Sequence, residues 1–217
     1  LDISPSIEKL NGPNSMGIVC NIGDESQLKE AVEKVVAEFG GLDLIICNAG
    51  IFTAGEYVEH LDCDKWDRTL RINLTANQLL LKYAVPYLKV GIESAVLFVG
   101  SRNVGAPGPG AAAYSVSKAG LTQLARVLAL ELAPDGVRVN VIHPDAVFDT
   151  DLWTPEALAR SAERYGMTIE EYKTRNLLST EIKSTDIAQM CTAMVSSLFS
   201  KTTGAQIPVD GGNDRII

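Results

Sequence analysis

The stretch "AVLFVGSRNVGAPGPGAAAYSVSKAG", residues 95–120, contains a strand, a loop and the start of a helix. Its first five residues are all apolar and read as a strand covered on both faces. The strand ends at Gly100 and Ser101. A loop rich in Gly and Pro follows, and Tyr114 and Lys118 then stand four apart where a helix begins. A hydroxyl, a phenol and an ammonium do not belong in a core. The end of this strand is therefore where chemistry is to be sought.

The same alternation of strand and helix extends in both directions. "MGIVCNI", residues 16–22, predicts a strand. A helix follows from Asp24, with Gln27 three residues on in a capping-box arrangement and Gly40-Gly41 as its stop. Its apolar positions Leu28, Val32, Val35, Val36 and Phe39 recur at helical spacing. "LDLIICNAG", residues 42–50, predicts a second buried strand. A long helix is expected over about 64–88, another over about 114–132, and a strand over 137–144. Beyond it come a less regular helical segment (155–178), a helix (184–197) and a last strand in "GAQIPVDGG", residues 204–212. Repeated strand–helix–strand units imply parallel strands with helices on both faces, so the fold class is a doubly wound, Rossmann-like α/β sheet in one domain.

Ligands of such sheets collect beyond the carboxyl ends of the strands. Three strand ends here carry small or polar residues: Asn48, Ala49 and Gly50; Ser101; and "HPDAV", residues 143–147. Together they make a floor for a flat ligand. Tyr114 and Lys118 share one helix face. An ammonium beside a phenol favours the phenolate, so Lys118 is expected to draw the pKa of Tyr114 down towards neutrality. Such a phenol exchanges a proton with an alcohol or carbonyl oxygen, and Ser101 is placed to hold that oxygen. A tyrosine and a lysine four apart occur often by chance. The spacing from Ser101, the intervening loop and the Asn48–Gly50 strand end make them a site for alcohol–carbonyl interconversion.

Composition narrows the field. The chain has 217 residues, 46% hydrophobic and 21% charged, with a net charge of −8 and a pI near 4.8. An acidic chain lacks the basic footprint that nucleic acid or an anionic membrane needs. No apolar run approaches the ~20 residues that span a bilayer. Cys20, Cys47, Cys63 and Cys191 are scattered without metal-ligand spacing, and Cys20 and Cys47 sit in apolar runs as small hydrophobes. The expected location is the cytoplasm.

These residues resemble the short-chain dehydrogenase/reductase family along essentially the whole chain. "CNAG" (residues 47–50) is similar to the family's Asn-Asn-Ala-Gly motif, and "INLTA" (72–76) carries Asn73 where the family has its active-site asparagine. Ser101, Tyr114 and Lys118 match the remaining catalytic positions, with the family's interval between serine and tyrosine. "VRVNVIHPDAV" and "TGAQIPVDGG" resemble two further family segments. The resemblance implies that Tyr114 is the acid/base and that Lys118 lowers its pKa and binds the nicotinamide ribose. It further implies that Ser101 orients the substrate and Asn73 supports a water relay to Lys118. The implied cofactor is NAD, with NADP as the alternative, bound by Asn21, Ile22, Asn48, Ala49, Gly50, Tyr114, Lys118, Pro144 and Val147. The family's use of the helices around 74–88 and 114–132 implies a homodimer or homotetramer.

Within the family, "VNVIHPDAVFDTDLW" and "RYGMTIEEYKTRNLL" are most similar to the dehydrogenase half of bacterial fused rhamnulose-1-phosphate aldolase/alcohol dehydrogenases. That implies oxidation of lactaldehyde and an aldolase domain ahead of this one in a parent chain. The family's first two strands and its Thr-Gly-x-x-x-Gly-x-Gly loop have no counterpart before residue 16. The chain is therefore expected to be an N-terminally truncated domain that binds dinucleotide weakly. Asn21 replaces the family's aspartate at the adenine, Asp145 its glycine after Pro144, and Asp149 a threonine at the nicotinamide. An acidic Asp149 there is expected to disfavour anionic substrates. His143 reads as structural or substrate-lining, and Trp153 and Tyr165 as pocket lining or helix packing. Two other functions fit the same residues: a general sugar-alcohol or 3-oxoacyl reductase, and a catalytically silent scaffold.

Overall fold

Four apolar runs become the strands of one parallel sheet: β1 (Leu44–Cys47), β2 (Ala95–Val99), β3 (Arg138–Pro144) and β4 (Gln206–Val209), side by side in that order. The computed structural model describes residues 1–53 and 55–213. β2 buries every side chain and β3 all but one, whereas the outer strands β1 and β4 alternate. Inner strands are covered on both faces and outer ones only in part.

Successive side chains of a strand point to opposite faces, and the two faces of β2 meet different helices. Val96 and Phe98 pack with Leu81 and Leu88 of α3 (Ala76–Leu88) and Leu121 and Leu128 of α4 (Ala112–Leu132). Leu97 and Val99 pack with Ile187, Cys191 and Met194 of α7 (Ser184–Val195). The expected doubly wound arrangement is present. A smaller cluster joins Cys20, Leu28 and Ala31 to Ala76 and Leu79, seating α1 (Glu25–Phe39) against α3. Cys47 and Cys20 pack in these clusters as small apolar groups.

α1 starts and stops where the sequence indicates. The Asp24 carboxylate accepts from the N–H groups of Ser26 and Gln27, and Gly40 ends the helix at φ 79. Gln27 does reach back, but its carbonyl oxygen takes the N–H of Asn21 at 2.9 Å. Both ends of α7 are held from the sheet side. At its N-terminus Asp149 accepts from the Ser184 N–H (2.8 Å) and hydroxyl (2.7 Å). At its C-terminus the buried Arg138 donates to the carbonyls of Met194 (3.0 Å), Val195 (2.9 Å) and Ser196 (3.3 Å). Anion at the start and cation at the end suit the helix dipole.

Two expectations change. Residues 16–22 are not a strand of the sheet. Among the described residues no strand lies between them and β1, and the one β-type pairing of their backbone is with Asp2: Asp2 N–H to Ile18 (3.2 Å) and Cys20 N–H to Asp2 (2.8 Å). The helix expected over 64–88 is three pieces, α2 (Cys63–Leu70), a wider π turn (Arg71–Thr75) and α3. Helical periodicity continues through all three, which is why the sequence reads as one helix. The irregular segment resolves into α5 (Pro155–Arg164) and α6 (Ile169–Lys173). Among the described residues no helix is long and apolar enough to cross a membrane.

Candidate active site

The carboxyl ends of β1, β2 and β3 open onto a crevice bounded by the start of α4 and the π turn. Ser101, directly after β2, is 7% exposed. Its Oγ accepts the Asn103 N–H at 3.1 Å, which leaves its own proton to donate. Tyr114 lies in the first turn of α4, edge-on to Phe52 with ring centroids 4.8 Å apart. One turn on, Lys118 is 5% exposed, and its Nζ donates to the Val99 carbonyl at 2.8 Å.

The electrostatics differ from the expected scheme. Burial pushes the Tyr114 phenol above its ordinary value of 10, opposed by a hydrogen bond from Ser101. Lys118 does not draw the phenol down. Its Nζ turns to the Val99 carbonyl, 5.8 Å from the centre of the Tyr114 ring. Burial lowers the Lys118 ammonium itself to about 8. Desolvation disfavours the charged form of each, so in the chain alone both are biased towards neutrality, and the serine is the group that favours phenolate.

The π turn points Asn73 into the interior. A π turn widens a helix by one residue and is frequent at functional sites. Asn73 Oδ1 accepts the Ile51 N–H at 2.8 Å, and Nδ2 donates to the Ile51 carbonyl (2.9 Å) and to Ser117 Oγ (3.0 Å). Ser117 in turn donates to the Tyr114 carbonyl at 2.7 Å. One buried amide thus ties the loop after β1 to the turn of α4 that carries Tyr114. Ser117 escaped the sequence reading; a hydroxyl on the Tyr114–Lys118 face was the available signal.

Gly50 lies over this network. A Cβ there would stand 3.1 Å from Asn73 Oδ1 and 3.7 Å from Lys118 Nζ. Asn48, Ala49 and Gly50 are exposed, so bare backbone passes over the buried amide and ammonium and leaves room for a flat ligand. Asn21 is exposed beside α1, its amide oxygen taken by the Gly23 N–H at 3.0 Å. The Gly23 carbonyl accepts from Arg71 at 2.9 Å, which sets the loop of Asn21 and Ile22 against the π turn. Pro144 ends β3, and Val147 packs into the α7 side of the core.

Acidic residues near the crevice have structural partners. Asp145 pairs with Arg102 at 3.3 Å and accepts from the Asn213 amide. Asp149, expected to face the substrate, is bonded to Ser184 at the start of α7, and those bonds lower its pKa. Its negative charge is thus retained and held at the start of α7. Trp153 and Tyr165 pack with Phe148 and Tyr172 in one aromatic cluster, with Arg175 over two of its rings at 4.6 and 4.7 Å. A cavity of about 160 Å³ opens near Phe52, lined by Thr53, Leu61, Ala113 and the ion pair Glu56–Lys65.

Comparison with known proteins gives this arrangement its class. A family model described as Enoyl-(Acyl carrier protein) reductase matches residues 3–214. Dehydrogenase/reductase SDR family member 4 of Homo sapiens is 30% identical over 204 residues, covering 93% of this chain and 70% of that protein. The uncharacterised oxidoreductase YuxG of Bacillus subtilis is 32% identical over 204 residues, which are 91% of this chain but 30% of that protein. The solved 3-ketoacyl-(acyl-carrier-protein) reductase of Brucella melitensis, complexed with NADH, aligns with a TM-score of 0.80 at 26% identity, over 93% of this chain and 79% of that one. The chain belongs to the short-chain dehydrogenase/reductase family, a family of oxidoreductases.

Proposed function

We propose that the protein is a nicotinamide-dependent oxidoreductase interconverting a small alcohol and its carbonyl compound, with Tyr114 as the acid/base. One observation carries this reading: the buried Ser101 hydroxyl at the end of β2 is near enough to act on the Tyr114 phenol, which lies one helical turn from Lys118. The bare backbone at Gly50 over Asn73 and Lys118 would admit the nicotinamide half of a dinucleotide, which Asn48, Ala49, Pro144 and Val147 would also hold, with Asn21 and Ile22 as the residues for its adenine half. When bound, an oxidised nicotinamide supplies a hydride acceptor and a positive charge. The protein's own part is proton transfer. Ser101 donates to the substrate oxygen, and the phenol gives that oxygen a proton or takes one from it. The raised phenol favours its protonated form, which suits donation to a carbonyl; in the oxidative direction the positive charge of a bound nicotinamide would favour the phenolate. Lys118 would hold the ribose, and Asn73 positions Ile51 and Ser117 beside it.

The substrate we favour is lactaldehyde, oxidised to lactate through its hydrate, whose geminal hydroxyl enters as the alcohol. The similarity of residues 139–153 to fused aldolase/dehydrogenases supports this, as does a relative, YuxG, of which the chain spans only 30%. NAD is favoured over NADP by the NADH complex of the Brucella relative. The location we propose is the cytoplasm, and the assembly a dimer or tetramer through α4, which exposes Val116, Val127 and Leu130. A monomer in light scattering would remove that assembly. The names of the matching family model and the Brucella relative favour a second reading, 3-oxoacyl reduction.

Absorbance of the reduced nicotinamide separates the two: it rises when lactaldehyde is oxidised with NAD and falls when a 3-oxoacyl thioester is reduced with NADH. In the active reaction Tyr114→Phe is expected to lose about 100- to 10,000-fold in kcat. Full turnover in that variant overturns the assignment. Absence of both cofactor binding and turnover in the full-length protein would leave the scaffold reading.

A further inference from the structure

The β2–β3 ladder ends at a residue that cannot extend it. Register runs from Ala95↔Arg138 to Val99↔Ile142, and the Gly100 N–H adds one bond to the Ile142 carbonyl at 2.8 Å. The next rung needs an N–H from residue 144, which is proline. The strands part there and open the crevice. Ser101 nevertheless stays buried, and a buried backbone N–H needs a partner.

His143 meets that need. Its Nδ1 lies 3.2 Å from the Ser101 nitrogen and 3.1 Å from the Ser101 oxygen, and its Nε2 lies 3.2 Å from Gln206 Oε1 on β4. A neutral imidazole has one donor and one acceptor nitrogen. With the proton on Nε2 it donates to Gln206, and Nδ1 accepts the Ser101 N–H; both contacts are satisfied together. The other tautomer donates from Nδ1 to the Ser101 carbonyl and accepts at Nε2 from the turned Gln206 amide, so in either state the ring is bonded to the Ser101 backbone. The ring also needs the space over Gly100, where a Cβ would stand 2.6 Å from Nδ1 and 2.8 Å from Cε1. The imidazole thus links the ends of three strands.

We propose that His143 is a positioning residue: its imidazole fixes the Ser101 backbone and, through it, the direction of the Ser101 hydroxyl. The inference rests on the reading in which Ser101 faces the substrate oxygen and the Tyr114 phenol.

Two readouts test it without any substrate: hydrogen exchange at the Ser101 amide in the ¹⁵N-labelled protein, and the titration of Tyr114. His143→Leu is expected to speed Ser101 exchange about tenfold, the scale of one lost hydrogen bond. It should also move the Tyr114 titration upward, because the Ser101 hydroxyl is the group holding it down. His143→Asn places an amide oxygen where Nδ1 was and restores both, whereas His143→Gln places its acceptor one bond too far. Gly100→Ala displaces the ring without altering it and should reproduce the leucine variant. If the leucine and asparagine variants behave alike in both readouts, whether like the wild type or equally altered, the inference is overturned. Should His143→Leu fail to fold, His143→Asn against Gly100→Ala decides in the same way. Neither readout requires turnover, so an active Tyr114→Phe would overturn the oxidoreductase reading separately.

Discussion

The floor formed by the strand ends and the helical segment that the family resemblance implies as its cover are held by different forces. On the floor, the side chains of Asn73, Lys118 and His143 bond directly to backbone groups of Ile51, Val99 and Ser101. In the cover, α5, α6 and the loop after β3 meet through rings 5.1 to 6.1 Å apart and through Arg175 above two of them. Hydrogen bonds to buried backbone fix distance and direction. Ring contacts are broad minima that tolerate sliding. Proton transfer needs the first kind of support, and a change of pocket shape needs the second. The residues proposed for catalysis all fall on or beside the floor.

The contrast is broken hardest at Asn73. Asn73→Ala strands the partly buried Ile51 N–H and carbonyl and takes a partner from the buried Ser117. With about 1–3 kcal/mol for each buried group left unpaired, a loss of about 4 kcal/mol is expected in urea unfolding. A loss under about 1 kcal/mol would show that the floor is no more rigid than the cover.

Lys118 gives the floor a pH signature. Its folded pKa is near 8 and its ordinary value 10.5. Between those values the unfolded chain holds a proton here that the folded chain lacks, so stability rises with pH across that window. The burial penalty is fully present below pH 8, and its relief amounts to about 3 kcal/mol by pH 10.5. Tyr114 works in the opposite sense, but only above pH 10, where the unfolded phenol ionises before the folded one. Comparison of wild type with Lys118→Met from pH 7 to 10 isolates the lysine: the rise is expected in the wild type and absent from the variant. Parallel curves would refute the depressed ammonium.

How far the sequence carries differs between the same two regions. Most strand positions, the helix faces and the cap at Asp24 follow from local periodicity and turn chemistry, and the polar strand ends locate the crevice. What escapes is whatever depends on where a side chain turns. Four-residue spacing puts Lys118 on the Tyr114 face, yet its ammonium goes to a carbonyl of β2. The π turn at Asn73 keeps helical periodicity and leaves no mark in the pattern. His143 to Ser101, Asp149 to Ser184 and Arg138 to Met194 are contacts across 42, 35 and 56 positions. No local rule pairs them. The cover is the least legible part, because its rings satisfy no pattern but one another.

Asp149 tests the join between floor and cover. Its carboxylate holds the start of α7, so Asp149→Ala is expected to lower Tm by about 2–4 °C. Its bonds to Ser184 depress its pKa below the ordinary 3.8. The stability it contributes is therefore present above pH 4 and lost as pH falls through the depressed value. Thermal melts of wild type and variant should converge in acid. A gap that stays constant to pH 2.5 would mean that the variant acts through packing.

The smallest effect is expected where the cover is held least specifically. The Trp153 indole N–H is buried and has no hydrogen-bond partner among the described residues, while its ring touches Phe148 and Tyr172. Trp153→Phe gives up ring area, which destabilises, and removes an unpaired buried donor, which stabilises. The two are of similar size, so the net change should stay within about 1 kcal/mol in urea unfolding. Tyr172 keeps its stacking on Tyr165 and on Arg175 whichever ring stands at 153. A loss above about 3 kcal/mol would mean that the indole is locked in place like an element of the floor, and the distinction between sliding and fixed walls would fail at its clearest point.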